Sequence, residues 1–326
     1  MEFPNIPTLK ADAALALQKG REPRKVILAF AGIMTLVAAG LTVLSFWLGQ
    51  QISNTGGLSN LGTRTMLSTA QMVLPLVQMV VLMSLELGYQ HAMLRISRRQ
   101  YADETDLKVG FRKFFPLLRL TLLQAVLYFA IGFLTYQVAV LFYMFSPWAG
   151  QLTDLILPLM EGGMADSAAV MSDAFLAQAA PLVIPMFLVW GALFLAGMIP
   201  VSYRLRFAQY ALLDDSRGRA LAAMNASVRM TRGNCKKIFK LDLSFWWYHG
   251  LLAVASIVQM LPILGLPLPL SFDAQYYLFY GIYIVLISVV YVLLRNRVET
   301  TYAAAYETLR EKPQENAVVL GNIFDM

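Results

Sequence analysis

Apolar residues gather into six long runs separated by polar and charged stretches: residues 26–48, 72–94, 117–145, 182–203, 241–264 and 276–294. A helix rising 1.5 Å per residue needs about 20 residues to cross a hydrocarbon core about 30 Å thick, and each run meets or approaches that length. Apolar side chains occupy every side of these runs, so the pattern predicts transmembrane helices and not the one-sided helices of a soluble core. The third run is the longest and predicts a tilted helix. The first starts too far into the chain and runs too long for a secretory h-region, and no small-residue cleavage site follows it; it reads as a retained span.

Shorter amphipathic patterns lie between the runs. Residues 8–20 set Leu9, Ala13, Leu15 and Leu17 against Lys10, Asp12 and Lys19, predicting a helix on the membrane surface, punctuated by Gly20 and Pro23. In the 204–240 loop, Asp214, Asp215 and Ser216 are suited to accept from the free amides of a helix start. Gly233-Asn234 closes that helix, and Leu221, Met224 and Val228 form its apolar face. Within 146–181, Leu152, Leu155, Ile156 and Leu159 recur at helical spacing and 168–180 is helix-prone, predicting an outer segment that is interfacial or re-entrant. The fold expected is all-α: one membrane domain over 1–326, a polytopic bundle of about six spans, with short interfacial helices and both ends on the inner side.

Charge sets that orientation. Of the 26 Lys and Arg residues, 25 lie before the first span, between Arg95 and Arg119, between Arg204 and Lys240, or after the last span, and only Arg64 lies opposite. The basic segments, including the loops 95–116 and 204–240, are therefore expected in the cytoplasm. Asp154, Glu161, Asp166, Asp173 and Asp273 fall on the outer side. Phe46, Trp47, Tyr143, Trp148, Tyr276, Tyr277 and Tyr280 suit the outer interface, and Trp246, Trp247 and Tyr248 the inner one. The pI of 9.3 thus reflects cations that border spans and meet anionic inner-leaflet lipids, not a nucleic-acid face. Composition agrees, since 14% charged and 58% hydrophobic residues are hard to keep in water.

Enzyme and cofactor signatures are missing from the sequence. There is no phosphate-binding glycine loop, no zinc-type histidine pair and no nucleophile elbow. His91 and His249 are the two histidines, and Cys235, the one cysteine, forms no intramolecular disulfide. A non-enzyme without cofactor or metal is expected.

An internal echo links the two inner loops. Tyr89 precedes Gly110-Phe111-Arg112-Lys113 by 21 residues, and Tyr210 precedes Gly233-Asn234-Cys235-Lys236-Lys237 by 23. A duplicated hairpin would produce this, and so would any basic, aromatic re-entry into a membrane. The run Ser227, Met230, Gly233, Asn234, Phe239, Leu241, Asp242, Leu243, Ser244 and Phe245, with Leu87-Gly88-Tyr89 and Tyr302–Tyr306, resembles a bacterial membrane family catalogued as domain of unknown function 975. The chain departs from the family's pattern at Trp246-Trp247-Tyr248-His249 and in the longer 146–181 connection. The resemblance implies a multi-pass bacterial plasma-membrane protein of this layout, with no activity assigned.

Ionisable groups inside spans are costly, which makes Glu86 the most informative residue. It lies nine residues before Arg95, about 13 Å from the inner end of its span. His249, seven residues after Asp242, shares that depth, so Glu86 and His249 are expected to pair, with Arg119 as the competing partner. Asp242 and Ser244 mark the entrance of the fifth span, where Asp242 pairs with Lys240 or Lys237 or caps the helix. Ala31, Thr35 and Ala39 form a small-residue ridge for close helix contact. The reading is a packing protein, scaffold or complex subunit, with the bilayer and membrane proteins as partners. Its alternatives are a small transporter or channel built on Glu86 and His249, and a lipid-headgroup site at Arg112, Lys113, Lys236 and Lys237.

Overall fold

In lipid a backbone must satisfy its own hydrogen bonds, and in the computed structural model every regular element among the described residues is helical. The structure describes residues 4–19, 23–55, 60–161, 173–263, 269 and 272–324. In chain order the helices are α1 (Ile6–Lys19), α2 (Pro23–Asn54), α3 (Leu61–Ser97), α4 (Lys108–Arg112) after a 3₁₀ turn at Glu104–Leu107, α5 (Phe114–Met144) and α6 (Pro147–Glu161). There follow α7 (Asp173–Leu205), α8 (Ala208–Asp214), α9 (Ala220–Thr231), α10 (Cys235–Leu243), α11 (Trp246–Met260), α12 (Phe272–Val290) and α13 (Asn296–Phe324), the last two joined by a π turn at Tyr291–Arg295. Five helices are long and apolar enough to cross a membrane, and a sixth crossing is present if the bent pair α10–α11 counts as one. The chain has the build of a membrane protein.

It clusters into two compact units, Met1–Leu118 with Phe207–Met326, and Arg119–Arg206, where one domain is expected from the sequence. In the first unit α2 lies along α3, α12 lies along α2 and α11, and α13 packs on α1 and α3. Burial concentrates at the end carrying the basic segments, where Ile27, Phe30, Leu85, Tyr89, Met93, Ile96 and Leu107 form a core. Towards the other end Val43, Met72 and Leu76 stay exposed, as lipid-facing residues do. Phe46 meets Tyr277 edge-on at 4.9 Å, setting the expected outer-interface aromatics of α2 and α12 at one level.

Two glycines fix how the 3₁₀ turn and α4 lie on α3. A Cβ on Gly88 would stand 2.2 Å from the Leu107 carbonyl oxygen, and one on Gly110 would stand 1.7 Å from that of Ser84. Only hydrogen fits at either place. In the second unit Trp190 of α7 donates to the Gly132 carbonyl of α5 at 3.2 Å, flanked by Tyr136, Phe187 and Phe194, and α6 packs on α7.

Several expectations need correction. The 241–264 run is not one rod, because the chain turns by 66° between α10 and α11. The last span does not stop at 294 but continues through the π turn into α13. On α9 the buried face is Ala220, Ala223, Ser227 and Thr231; Leu221 and Val228 stay exposed, because small residues allow closer helix approach. Asp214 ends α8 and does not start the next helix, whereas Asp215 accepts from the amides of Arg217 and Arg219 at 2.9 Å each. The small ridge of α2 is Ala31, Thr35 and Ala38, with Thr35 Oγ1 2.7 Å from Ser288 Oγ on α12, and Ala39 is exposed. α1 buries Leu9, Ala13 and Ala16, leaving Leu15 exposed. In the segment expected on the outer side, α6 half-buries Leu152, Leu155 and Ile156. Residues 162–172, the Leu159 and Asp273 side chains and Gly20 lie outside what is described.

Candidate functional site

The π turn adds a residue to the helical ring and carries Arg295, buried, as its last residue. Its side chain is 7% exposed and forms a short ion pair with Glu86 of α3, with Glu299 of α13 3.9 Å away. Three rings cover the guanidinium: Tyr291 at 4.2 Å, Phe30 at 4.8 Å and Tyr89 at 5.1 Å. Cation–π attraction strengthens when the cation is desolvated, as here. Tyr89 then donates to Asn296 Oδ1 at 2.7 Å, Asn296 Nδ2 donates to the Pro23 carbonyl at 3.2 Å, and Tyr210 donates to Glu299 at 2.9 Å.

Glu86 therefore faces protein, but its partner is neither His249 nor Arg119. His249 lies on the exposed side of α11, in ring contact with Tyr248, and Arg119 is an exposed residue of the second unit. The sequence reading assigns Arg295 to the inner-side charges because it follows the last apolar residue of its run. The signal that would have found it is the spacing Tyr291, Arg295, Glu299, one residue per helical turn on one face.

A second polar cluster ties α13 to α3 and α8. Arg98 Nη2 lies 2.8 and 2.7 Å from the two Asp214 carboxylate oxygens and 2.6 Å from Glu307, Arg310 pairs with Asp214 at 2.9 Å, and Tyr306 donates to Asp214 at 2.8 Å. Lys113 points its ammonium at the end of α8, donating to the carbonyls of Leu212, Leu213 and Asp215 at 3.0, 2.6 and 3.2 Å. Burial pulls its value below that of an ordinary lysine despite nearby Asp214 and Asp215. Lys113 is thus a helix cap and not the lipid contact expected of it. Arg112 and Lys236 are exposed, and Lys237 is half-buried.

A third centre is Asp106, 2.7 Å from Arg95 and 3.3 Å from His91 Nδ1. Burial pushes its carboxyl up, but the neighbouring His91 ring and the hydrogen bonds from Arg95 and the Asp103 amide outweigh this and hold it below the ordinary value of 3.8.

Residues 227–245 form the end of α9, the whole of α10 and the turns on either side of α10. Ser227 Oγ accepts the Phe207 amide at 3.1 Å, Gly233 takes φ +79° just past α9, and Asn234 is buried at the start of α10. Met230 is half-buried and Phe239 is half-exposed. Asp242 accepts a short bond from Tyr302 of α13, a partner not among those expected of it, namely Lys237, Lys240 or a helix cap. At the bend Tyr248 N bonds to the Phe245 carbonyl, which leaves the Ser244 carbonyl without its helical amide. Lys10 fills that vacancy, donating to Ser244 O at 2.9 Å with its ammonium 4.1 Å from the buried Phe245 ring.

The echoed tyrosines both bond to α13, Tyr89 at Asn296 and Tyr210 at Glu299, while the echoed glycines differ: Gly110 allows close approach, and Gly233 a left-handed turn. No group of three or more metal-ligating side chains occurs among the described residues. A groove of about 570 Å³ lies in the second unit, lined by Tyr143, Met144, Thr153 and Ile156 where α5 meets α6. Comparison with protein-family models, with curated proteins and with solved structures gave no match.

Proposed function

We propose that this chain is a non-enzymatic, membrane-embedded scaffold or complex subunit of a bacterial plasma membrane, with its basic segments in the cytoplasm. The observation that carries this reading is the state of its intramembrane charge. Arg295 pairs with two carboxylates and is covered by three rings, so its charge is neutralised within the chain, although its buried Nε has no hydrogen-bond partner among the described residues. A transport site needs a charge that exchanges its partner for a solute or water during the cycle. This arrangement instead fixes the register of α3 against the last span. The likeness of residues 227–247 to the bacterial family supports the plasma-membrane assignment.

The test is flux through proteoliposomes, read with a pH-sensitive dye and with potassium gradients. Wild type and Glu86→Gln are both expected to match protein-free vesicles. The substitution should instead lower stability by roughly 2–3 kcal/mol, less than the 3–5 of a fully buried pair because Glu299 remains and Glu86 is partly exposed. Wild-type flux that Glu86→Gln abolishes would sink the scaffold reading.

A further inference from the structure

On the bent pair α10–α11 one helix face stays exposed. α10 buries Ile238 and Leu241 within its own unit. Its opposite face exposes Lys236, Phe239, Lys240 and Leu243, and Trp246 follows at the bend with 68% exposure. These residues recur at three- and four-residue spacing, so cations and large apolar side chains share one strip.

The orientation of the strip follows from the angle. α11 is apolar and, at 15 residues, about 22 Å long, shorter than a hydrocarbon core of about 30 Å. With α11 directed across the membrane, a 66° turn lays α10 closer to the membrane plane than to its normal, at interfacial depth. The turn is held at three points: Lys10 on the Ser244 carbonyl, the Lys10 ammonium over Phe245, and Tyr302 on Asp242. It is a locked corner and not a loose hinge.

We propose that α10 is an in-plane anchor that binds anionic phospholipid, with Lys236 and Lys240 against headgroup phosphates and Phe239, Leu243 and Trp246 among the upper acyl chains. Charge complementarity selects this occupant. The strip carries two exposed lysines and no exposed carboxylate, and it continues directly into a helix built for lipid. Interfacial helices with lysine beside Trp, Phe and Leu bind by this combination of phosphate attraction and shallow apolar burial. The inference goes beyond the scaffold reading and holds whether or not the chain conducts a solute, so flux measurements and the experiment below fail independently.

The experiment uses the full chain in nanodiscs of phosphatidylcholine containing a fixed fraction of either brominated phosphatidylglycerol or brominated phosphatidylcholine. The signal is tryptophan quenching, with Trp246→Phe run in parallel to isolate the contribution of Trp246. Quenching of Trp246 is expected to favour the anionic lipid several-fold, since each lysine near an anionic surface strengthens association roughly fivefold. Lys236→Gln with Lys240→Gln should abolish the preference. Arg217→Gln with Lys108→Gln, which removes equal charge from other exposed positions, should retain it. Equal quenching by the two lipids in wild type, or equal loss of preference in both double variants, would overturn the proposal.

Discussion

At the scale of single residues the membrane environment turns small chemical choices into large constraints. Gly88 and Gly110 each hold a position where a methyl group would overlap a carbonyl oxygen of another element. Gly88→Ala and Gly110→Ala are each expected to destabilise the folded protein by about 1–3 kcal/mol, read as a lower midpoint in a detergent thermal melt. Gly132→Ala is the comparison, since its Cβ would find ordinary contact at 3.4 Å with a ring edge; an equal loss there would refute the steric argument. Asp106 makes a prediction about acid. Its carboxyl is held below the ordinary value of 3.8, so its contribution to stability is complete above that value and is lost as the pH falls through the lower folded-state value. Thermal midpoints measured downwards from pH 5 should drop below about pH 4, and Asp106→Asn should flatten that drop. An unchanged slope in the variant would remove Asp106 from the account. Glu86 was legible as a buried charge because hydrocarbon penalises it. Its partner was not, because Arg295 sits one residue past an apolar run and a sequence does not say on which side of that boundary a side chain turns.

Among elements, length and apolarity were enough to find the crossing helices, since no other regular structure suits those runs in lipid. The break at Ser244 was not legible by the same route. Apolarity continues across it, and the contacts that hold it come from Lys10 and Tyr302, far away in sequence. The apolar face of α9 was misread for a related reason: hydropathy ranks Leu221 above Ala223, but the closest packing goes to the smaller side chain. The α8 terminus offers a clean test at this scale. Lys113 supplies three hydrogen bonds to carbonyls at the end of α8, of which that of Asp215 also accepts the turn amide of Gly218. Lys113→Met keeps most of the side-chain volume and removes all three, so faster amide exchange across residues 208–214 and a stability loss of about 1–3 kcal/mol are expected. Exchange unchanged from wild type would show that water replaces the ammonium at no cost.

The whole molecule has an orientation to verify and a dependence to recognise. In a Cys235→Ser background, a cysteine at the exposed position Arg217 is expected to react with an impermeant maleimide in inverted vesicles and to stay unlabelled in intact cells. The opposite pattern would invert the topology. Division into two units was not visible in the sequence, where apolar runs repeat without a compositional boundary between them. The role of α13 was equally hidden, because the partners of its polar residues are far away in sequence. The helix bonds to α3, α8 and α10 and to the first residue of α2, through Asn296, Glu299, Tyr302, Tyr306 and Glu307. A ribosome delivers these residues after every helix they hold. Until then Glu86 enters the bilayer without its counterion, the Tyr89 and Tyr210 hydroxyls lack their acceptors, and Arg98 waits with one carboxylate in place of two. Biogenesis thus contains an interval in which the inserted helices carry unmet polar groups, and its length is set by the time taken to translate from α3 to α13.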